Sequence, residues 1–512
     1  MCRQIEWIKK VVRLCMKQFE TDEEKRECFA AMENEYRQFT DAEKRTIRDI
    51  MMTQFEVNDM IYVMSVMVQY MEIEDFYEDI MENILRGDFD GYVGSMLQYQ
   101  TLVWVKGQYR KKRMLYKNNM TKFGKMLERD YPYLPLETRN RERIAIITGQ
   151  LLDILHSPTR VILNMVYTLQ KYLGYEVMLF VCPCNMIIST ELWYNQWIET
   201  SKNQFANIPI EGMYRNEIFH GYQIDMDERS LKEYSMMLSL IHAWNPMFVI
   251  DADTTNAVAG LIGSFTTLVS LPMSTECPIS EGNILVRSGK KDDETEKEYI
   301  DMLGDHQRQL FMKETFPAFV EESQAHYTRS ELGLPEDKFL IAVVGNRLFI
   351  DLNQEFIQVM QRVIKRIPDA VFVMIGKENG IREYFEDSIF DGHLFYLGYC
   401  EDLMGVYQVL DLYMNPKRAG GGFSSAIALQ AELPVITLPD NDVAYNCGDK
   451  FIVQDYEEMI DTVCRYASDQ EFYEQQKKYA WKYKEENGDE KLLRYMKELL
   501  DGVTKIMEEQ ER

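Results

Sequence analysis

The chain has 512 residues, 46% of them hydrophobic and 27% charged, with a formal net charge of −26. That length suits roughly two to four domains with a sizeable core, and so acidic a balance excludes a nucleic-acid partner, which needs a basic face. Nine cysteines and six histidines are scattered; Cys182 and Cys184, the one close pair, match neither a zinc knuckle nor a redox Cys-x-x-Cys, so free thiols in a reducing cytoplasm and no metal site are expected.

No apolar run reaches the roughly 18 residues of a membrane span, and no apolar core follows the charges of the N-terminus. From Met1 to Asp130 there is no proline, and apolar residues recur at helical spacing: Trp7, Val11, Leu14 and Cys15, then Met60, Tyr62, Val63, Val66 and Met67. This reads as an all-helical region, residues 1–135, with breaks near Thr21-Asp22, Thr40-Asp41 and Arg86-Gly87-Asp88. It carries no chemistry, which points to an interaction or scaffolding role. The basic run Tyr109 to Lys117 either forms a solvated helix face or docks weakly on a membrane or a protein.

At Pro132–Pro135 the pattern changes. Arg143 to Thr148 is a short apolar strand, Thr159 to Leu173 a helix, and Glu176 to Val181 a second strand, making a βαβ unit. The loop Gln150–Arg160 lies at a strand's carboxyl end, where open α/β sheets bind ligands. His156 with Asp153 is either a base with a carboxylate partner or a helix cap. Residues 193–222 read as an insertion with strand-like pieces, and Glu228 to Trp244 as a helix. A strand follows from Pro246, ending at Asp251 and Asp253, which either meet substrate hydroxyls or cap the next helix. Glu296 to Gln324 is expected to be helical with a break at Pro317.

A second α/β unit opens with the strand Phe339–Gly345. It continues through a helix from Gln354 to Ile367, strands Ala370–Ile375 and Leu394–Gly398, a helix Glu401–Val409 and a strand Val409–Met414. Then comes Asn415-Pro416-Lys417-Arg418-Ala419-Gly420-Gly421-Gly422-Phe423-Ser424-Ser425, a helix to Ala431, and Val435–Leu438. Glycines permit close backbone approach, a helix N-terminus favours negative charge, and Lys417 and Arg418 add positive charge, so this stretch is either a phosphate seat or a glycine-rich turn. Gly345 stands alone after its strand, which argues against a dinucleotide oxidoreductase with G-x-G-x-x-G. The two βαβ regions suggest paired Rossmann-like lobes facing a cleft. They are assigned to residues 136–330 and 331–470, with C-terminal helices over 471–512.

Val344-Gly345-Asn346-Arg347, Leu397-Gly398-Tyr399, Pro416 to Ser425 and Leu433 to Pro439 together resemble the donor domain of GT-B glycosyltransferases. The nearest patterns are bacterial nucleotide-sugar transferases related to the family-four enzymes and to the O-linked N-acetylglucosaminyltransferase catalytic region. The resemblance covers roughly residues 143–460. It implies an α/β, GT-B architecture and a nucleotide diphosphate sugar, UDP-linked first, in the C-terminal lobe, with no metal required. By the same resemblance Gly420, Gly421, Gly422, Ser424 and Ser425 receive the diphosphate, with Asn346, Arg347, Lys417 and Arg418 beside it. Tyr399 faces the base, and Asp442 serves ribose or sugar hydroxyls. His156 would be the catalytic residue of the acceptor side, with Asp153, Ser157, Thr159 and Arg160 around it. The acceptor would be a glycan, a lipid-linked glycan or a protein.

The pattern also departs from the family. The two family-four glutamates correspond to Ala419 and Ile427, the lysine of the N-acetylglucosaminyltransferase group is absent from Leu348–Asp351, and Glu432 stands where a glycine is usual. Two functions therefore follow: a cytoplasmic glycosyltransferase, or a catalytically impaired homologue that partners an active one.

Overall fold

The computed structural model describes every residue except 1, 21, 72, 128–129, 150, 153, 155, 184–190, 197–208, 226–230, 254, 274–275, 290–291, 314–315, 318–322, 378–380, 419, 487 and 511–512. The chain divides into two compact units, Met1–Met312 with Leu500–Arg512, and Lys313–Leu499.

The proline-free N-terminal stretch winds into seven helices: α1 Cys2–Cys15, α2 Asp22–Arg37, α3 Asp41–Gln54, α4 Val57–Tyr70, α5 Asp75–Arg86, α6 Gly91–Trp104 and α7 Tyr109–Leu127. Their limits follow local signals. Thr40 and Glu43 form a reciprocal capping box at α3, α5 stops at Gly87, and the Asp90 side chain caps α6. The Trp7 and Val11 stripe packs with Met60, Val63, Val66 and Met67 in one apolar cluster, and Trp193 and Tyr194 from the following domain join it. The basic run does not form a continuous charged face. Lys112 and Arg113 are buried, Lys111 pairs with Glu78 at 2.8 Å, and Lys117 lies 3.5 Å from Glu281. No described helix is long and apolar enough to cross a membrane.

The rest of the first unit is built on a sheet of eight strands. These are β1 Asn140–Thr148, β2 Glu176–Val181, β3 Pro209–Tyr214, β4 Glu217–Gln223, β5 Pro246–Asp251, β6 Leu268–Ser270, β7 Ile284–Arg287 and β8 Arg308–Phe311, in the order β3-β4-β2-β1-β5-β6-β7-β8. All pairs are parallel except the β3–β4 hairpin, whose turn residues Arg215 and Asn216 both have positive φ (50° and 62°), as a two-residue type I′ turn requires. Helices α8 Ser157–Lys171, α9 Leu231–Trp244, α10 Ala257–Gly260 and α11 Asp293–Asp301 connect the strands. The helix expected over 296–324 is corrected here. It ends at Asp301, and residues 308–311 form β8, because Gly304 and Asp305 turn the chain and Arg308–Phe311 pairs with β7 as an edge.

In the second unit five parallel strands, β9 Phe339–Val344, β10 Ala370–Ile375, β11 Leu394–Gly398, β12 Leu412–Met414 and β13 Val435–Ile436, take the order β11-β10-β9-β12-β13. Helices α12 Leu348–Asp351, α13 Gln354–Arg366, α14 Leu403–Tyr407, α15 Gly422–Gln430, α16 Asp442–Cys447, α17 Tyr456–Ser468, α18 Gln470–Glu486 and α19 Asp489–Gln510 complete it, α19 belonging to the first unit from Leu500 onward. Alternate residues of β9 enter opposite clusters: Ile341 and Val343 one, Leu340, Ala342 and Val344 the other. Both faces are therefore covered, which is why the strand reads as a continuous apolar run. β12 starts later than the apolar pattern suggests, because Val409 and Leu410 close a turn on α14.

Glu432, where glycine is usual, sits at φ +62° in the turn after α15. A side chain in this left-handed region costs about 1 kcal/mol or more, and the nearby Lys484 is 3.6 Å away in a half-exposed pairing that contributes little. Glu432→Gly should therefore stabilise the second unit by about 0.5–1 kcal/mol, the backbone relief exceeding the entropy cost of glycine, measured by urea denaturation.

Candidate functional site

Three strands of the second sheet end together on glycine. Gly345 follows β9, Gly376 follows β10 and Gly398 closes β11; the Gly345 amide bonds Ile375 O at 2.9 Å and the Gly376 amide bonds Gly398 O at 2.8 Å. Gly376 has φ +136°, and a Cβ there would lie 2.0 Å from Gly345 O, so only glycine lets the strand ends close up. On this carboxyl edge, where parallel α/β sheets place their ligands, the loop from β12 to α15 rests.

Arg418 anchors that loop from beneath. Its side chain is 4% exposed, and its guanidinium donates to four groups: Asn415 Oδ1 (3.0 Å), Asp351 Oδ2 (3.0 Å), Val344 O (2.6 Å) and Tyr413 Oη (3.1 Å). The Tyr413 hydroxyl is 3.1 Å from Ser424 Oγ, which itself donates to Gly421 O at 2.9 Å. A Cβ on Gly345 would be 2.4 Å from Arg418 Nη1, and one on Gly421 2.7 Å from Nη2. The guanidinium thus lies between two glycines with no room for a side chain on either.

The upper side of the loop has a different character. Gly420 and Gly421 adopt φ +90° and +85°, and α15 begins at Gly422, its first backbone bond running from Ser425 N to Gly421 O at 3.1 Å. The amides of Gly422, Phe423 and Ser424 precede that bond, as at any helix start. The Gly420 amide donates to Asp442 Oδ2 at 2.7 Å. Arg347, 32% exposed, lies 3.6 Å from Asp351, and a Cβ on Gly420 would be 3.1 Å from its Nη2. Lys417 and Asn346 are exposed, and Tyr399 is 46% exposed beyond Gly398. Ser425 is fully buried and bonds Gly422 O. The arrangement sets oriented N–H groups and an arginine above a closed polar knot, which is chemistry that suits an anion.

The other candidate group lies in the first unit. His156 is the N-cap residue of α8 without a side-chain capping bond to the helix amides, its Nδ1 3.2 Å from Thr159 Oγ1. Thr159 Oγ1 also accepts from Leu152 N at 2.9 Å. Arg160 donates to Ile154 O, Ser157 begins the helix, and Asp153 is outside the described residues. After β5, the cap of α10 is Asn256, which accepts from Val258 N and Ala259 N at 3.0 Å; neither Asp251 nor Asp253 has that task. Burial pushes the Asp253 carboxyl above the usual range, against the Thr255 hydroxyl and the Gly149 amide that bond it. The helical region holds this turn: Gln98 donates to Thr255 O at 2.8 Å, Tyr116 to Asn256 O at 2.9 Å, and Asn119 supports Gln98 at 3.0 Å. Among the described residues no cluster of three metal-ligating side chains occurs.

Residues 339–469 match the family model for glycosyl transferases group 1. The chain is similar to a mutant O-GlcNAc transferase from Thermobaculum terrenum, at 14% identity, covering 91% of this chain and 87% of that one with a TM-score of 0.59. The fold is GT-B. Also similar are a glycosyltransferase from Rickettsia africae (12% identity, 72% and 99% covered, TM-score 0.48) and a UDP-forming trehalose-phosphate synthase from Burkholderia vietnamiensis (11%, 72% and 98%, 0.48). Among curated proteins, no sequence match is found.

The second unit carries Ile427 in α15 at 5% exposure, inside the apolar cluster that packs on the sheet; Ala419 lies outside the described residues. Sequence reasoning passed over Asp351, Tyr413 and Asn415. Asp351 is four residues from Arg347, a spacing that signals a pair, but its closer partner Arg418 is 67 residues away. Arg418→Lys cannot reproduce four fixed contacts and leaves Asp351 poorly paired. It should cost the second unit about 3 kcal/mol, measured by chemical denaturation, with an unchanged midpoint as the contrary result.

Proposed function

We propose that the chain is a glycosyltransferase that moves a sugar from a nucleotide diphosphate sugar, UDP-linked first, to a glycan, lipid-linked glycan or protein. One observation carries this reading: the Gly420 amide binds a carboxylate oxygen beside Arg347 at the start of α15. That is the chemistry a diphosphate oxygen requires. The match of residues 339–469 to group 1 glycosyl transferases supports it.

In this reading the lobe over 331–470 holds the donor. Arg347 and the loop amides stabilise the departing diphosphate, whose charge grows as the glycosidic bond breaks. Lys417 adds positive charge from solvent, Asn346 lies beside the diphosphate next to Arg347, and Tyr399 faces the base. The lobe over 136–330 presents the acceptor, with His156 as the group that handles its hydroxyl proton and Ser157, Thr159 and Arg160 around it. A second reading is a homologue of low activity that partners an active transferase, and Ile427 favours it, since that helix position offers no carboxylate to the donor.

Millimolar UDP or GDP should raise the melting temperature; no stabilisation by any nucleotide would defeat the donor assignment. Arg347→Ala should weaken nucleotide binding by about 1.5–3 kcal/mol with little change in stability, read by calorimetric titration beside a melting curve. Nucleotide release from UDP-sugars separates the two readings, steady turnover by the isolated chain excluding the second. His156→Ala should lower transfer while leaving the UDP dissociation constant as it was.

A further inference from the structure

The turn after β5 joins the helical region to the exit of a neighbouring strand. β5 lies beside β1 with Asp251 opposite Ile147, and the Ala252 amide continues the pairing onto Ile147 O at 2.9 Å. Carried on, that register brings Asp253 level with Gly149, where β1 gives way to the segment bearing His156. The Gly149 amide bonds the Asp253 carboxyl group there. The same group accepts from Thr255 Oγ1 at 2.6 Å, and Thr255 O accepts from Gln98 Nε2 of α6 at 2.8 Å.

This hold is stiff at its helical end. Asn119 of α7 donates to Gln98 Oε1 at 3.0 Å, and both side chains are buried. Asn119 is itself pressed on Gly94, where a Cβ would lie 2.1 Å from its Oδ1. At the far end the His156 segment is tied again. Thr159 Oγ1 accepts from Leu152 N at 2.9 Å and lies 3.2 Å from His156 Nδ1. His156 is thus held on one side by its own helix and on the other by the exit from β1. Two donors converge on the Asp253 carboxyl group, so a residue whose burial costs free energy by desolvation links the strand exit to α6.

We propose that Asp253 is a positioning residue: it carries the grip of α6, through Gln98 and Thr255, to the Gly149 amide and so sets where the His156 segment leaves β1. The inference rests on the function proposed above only for what His156 does once placed. A displacement of about 1 Å in a reacting group can lower a rate about a hundredfold, so the helical region governs the site without touching a ligand.

The test is amide hydrogen exchange on the full chain, read in the peptide that carries Gly149, beside melting curves and transfer kinetics. Asp253→Ala removes the link itself. Gln98→Met and Thr255→Val keep the side-chain size and carry the test if that variant does not fold. Each should speed exchange at Gly149 about tenfold, as the loss of one buried hydrogen bond does. Gln98→Met and Thr255→Val combined should add little more, because both break one route. In transfer from a UDP-sugar each should lower kcat while leaving the donor KM as it was. Ser65→Ala, which removes the acceptor of the Tyr194 amide at a separate contact, should lower the melting temperature without changing exchange at Gly149. Unchanged exchange in Gln98→Met, or an equal rise in Ser65→Ala, would overturn the proposal. So would faster exchange with an unaltered kcat. Absence of transfer by the wild type would defeat the function proposed above, and the exchange data would still decide whether Asp253 holds the strand exit.

Discussion

The buried guanidinium of Arg418 is the constraint on which the second unit's ligand edge depends. Removing such a cation from water is costly unless its donors are met, and here they are met by one side chain and one carbonyl from the β9–α12 segment and two side chains from β12 and its end. Those groups lie up to 74 residues from Arg418 in the sequence. A single charge therefore ties the strand ends, α12 and the glycine loop into one rigid piece. The glycines at 345 and 421 follow from the same charge, because the plane of the guanidinium occupies the space their side chains would need. This divides the two arginines by task. Arg418 builds the loop, and Arg347 lies partly exposed above it, where the proposed function puts the diphosphate.

The first unit uses buried polarity in a comparable way. Gln98, Tyr116, Asn119 and Asn256 are each at most 1% exposed, and they link α6 and α7 to the turn after β5. Trp193 and Tyr194 enter the helical cluster, and the Tyr194 amide bonds Ser65 Oγ at 2.9 Å. Satisfied networks of this kind hold one arrangement and penalise others. The helical region is thus fixed to the strand-end loops of its neighbouring sheet through two separate contacts. It is a part of that lobe's architecture, which a reading of its Met-rich amphipathic stripes as packing does not reveal.

What was legible in the sequence follows the range of the interactions concerned. Strands buried on both faces announce themselves as apolar runs, and helix limits at Thr40 and Gly87 rest on contacts within three or four residues. The glycine loop was legible as a tight turn into a helix start because its signals, glycines, hydroxyls and the apolar helix behind them, are also local. β8 was not, since an edge strand of mixed polarity is defined by its neighbour β7 and by nothing in its own pattern. The division between Arg347 and Arg418 was equally hidden. Both follow apolar strands as basic residues near glycine, and only the approach of Asp351, Tyr413 and Val344 separates the buried anchor from the partly exposed side chain. The serines show the same limit, because the Ser425 hydroxyl turns back to Gly422 O while its residue is fully buried.

Ile427 gives these separate points a common direction. At 5% exposure among Val344, Tyr413 and Leu429, it is a core residue, and an unpaired carboxylate in that setting would be driven toward its neutral form by desolvation. Its apolar side chain lets α15 pack without such a penalty, at the loss of a side chain that hydrogen-bonds sugar or ribose hydroxyls. Under the proposed function the helix then offers the donor its N-terminal amides, and recognition at this edge would concentrate on negatively charged oxygen, through Arg347 and the loop backbone. The choice of sugar would on that reading come from residues outside the glycine loop.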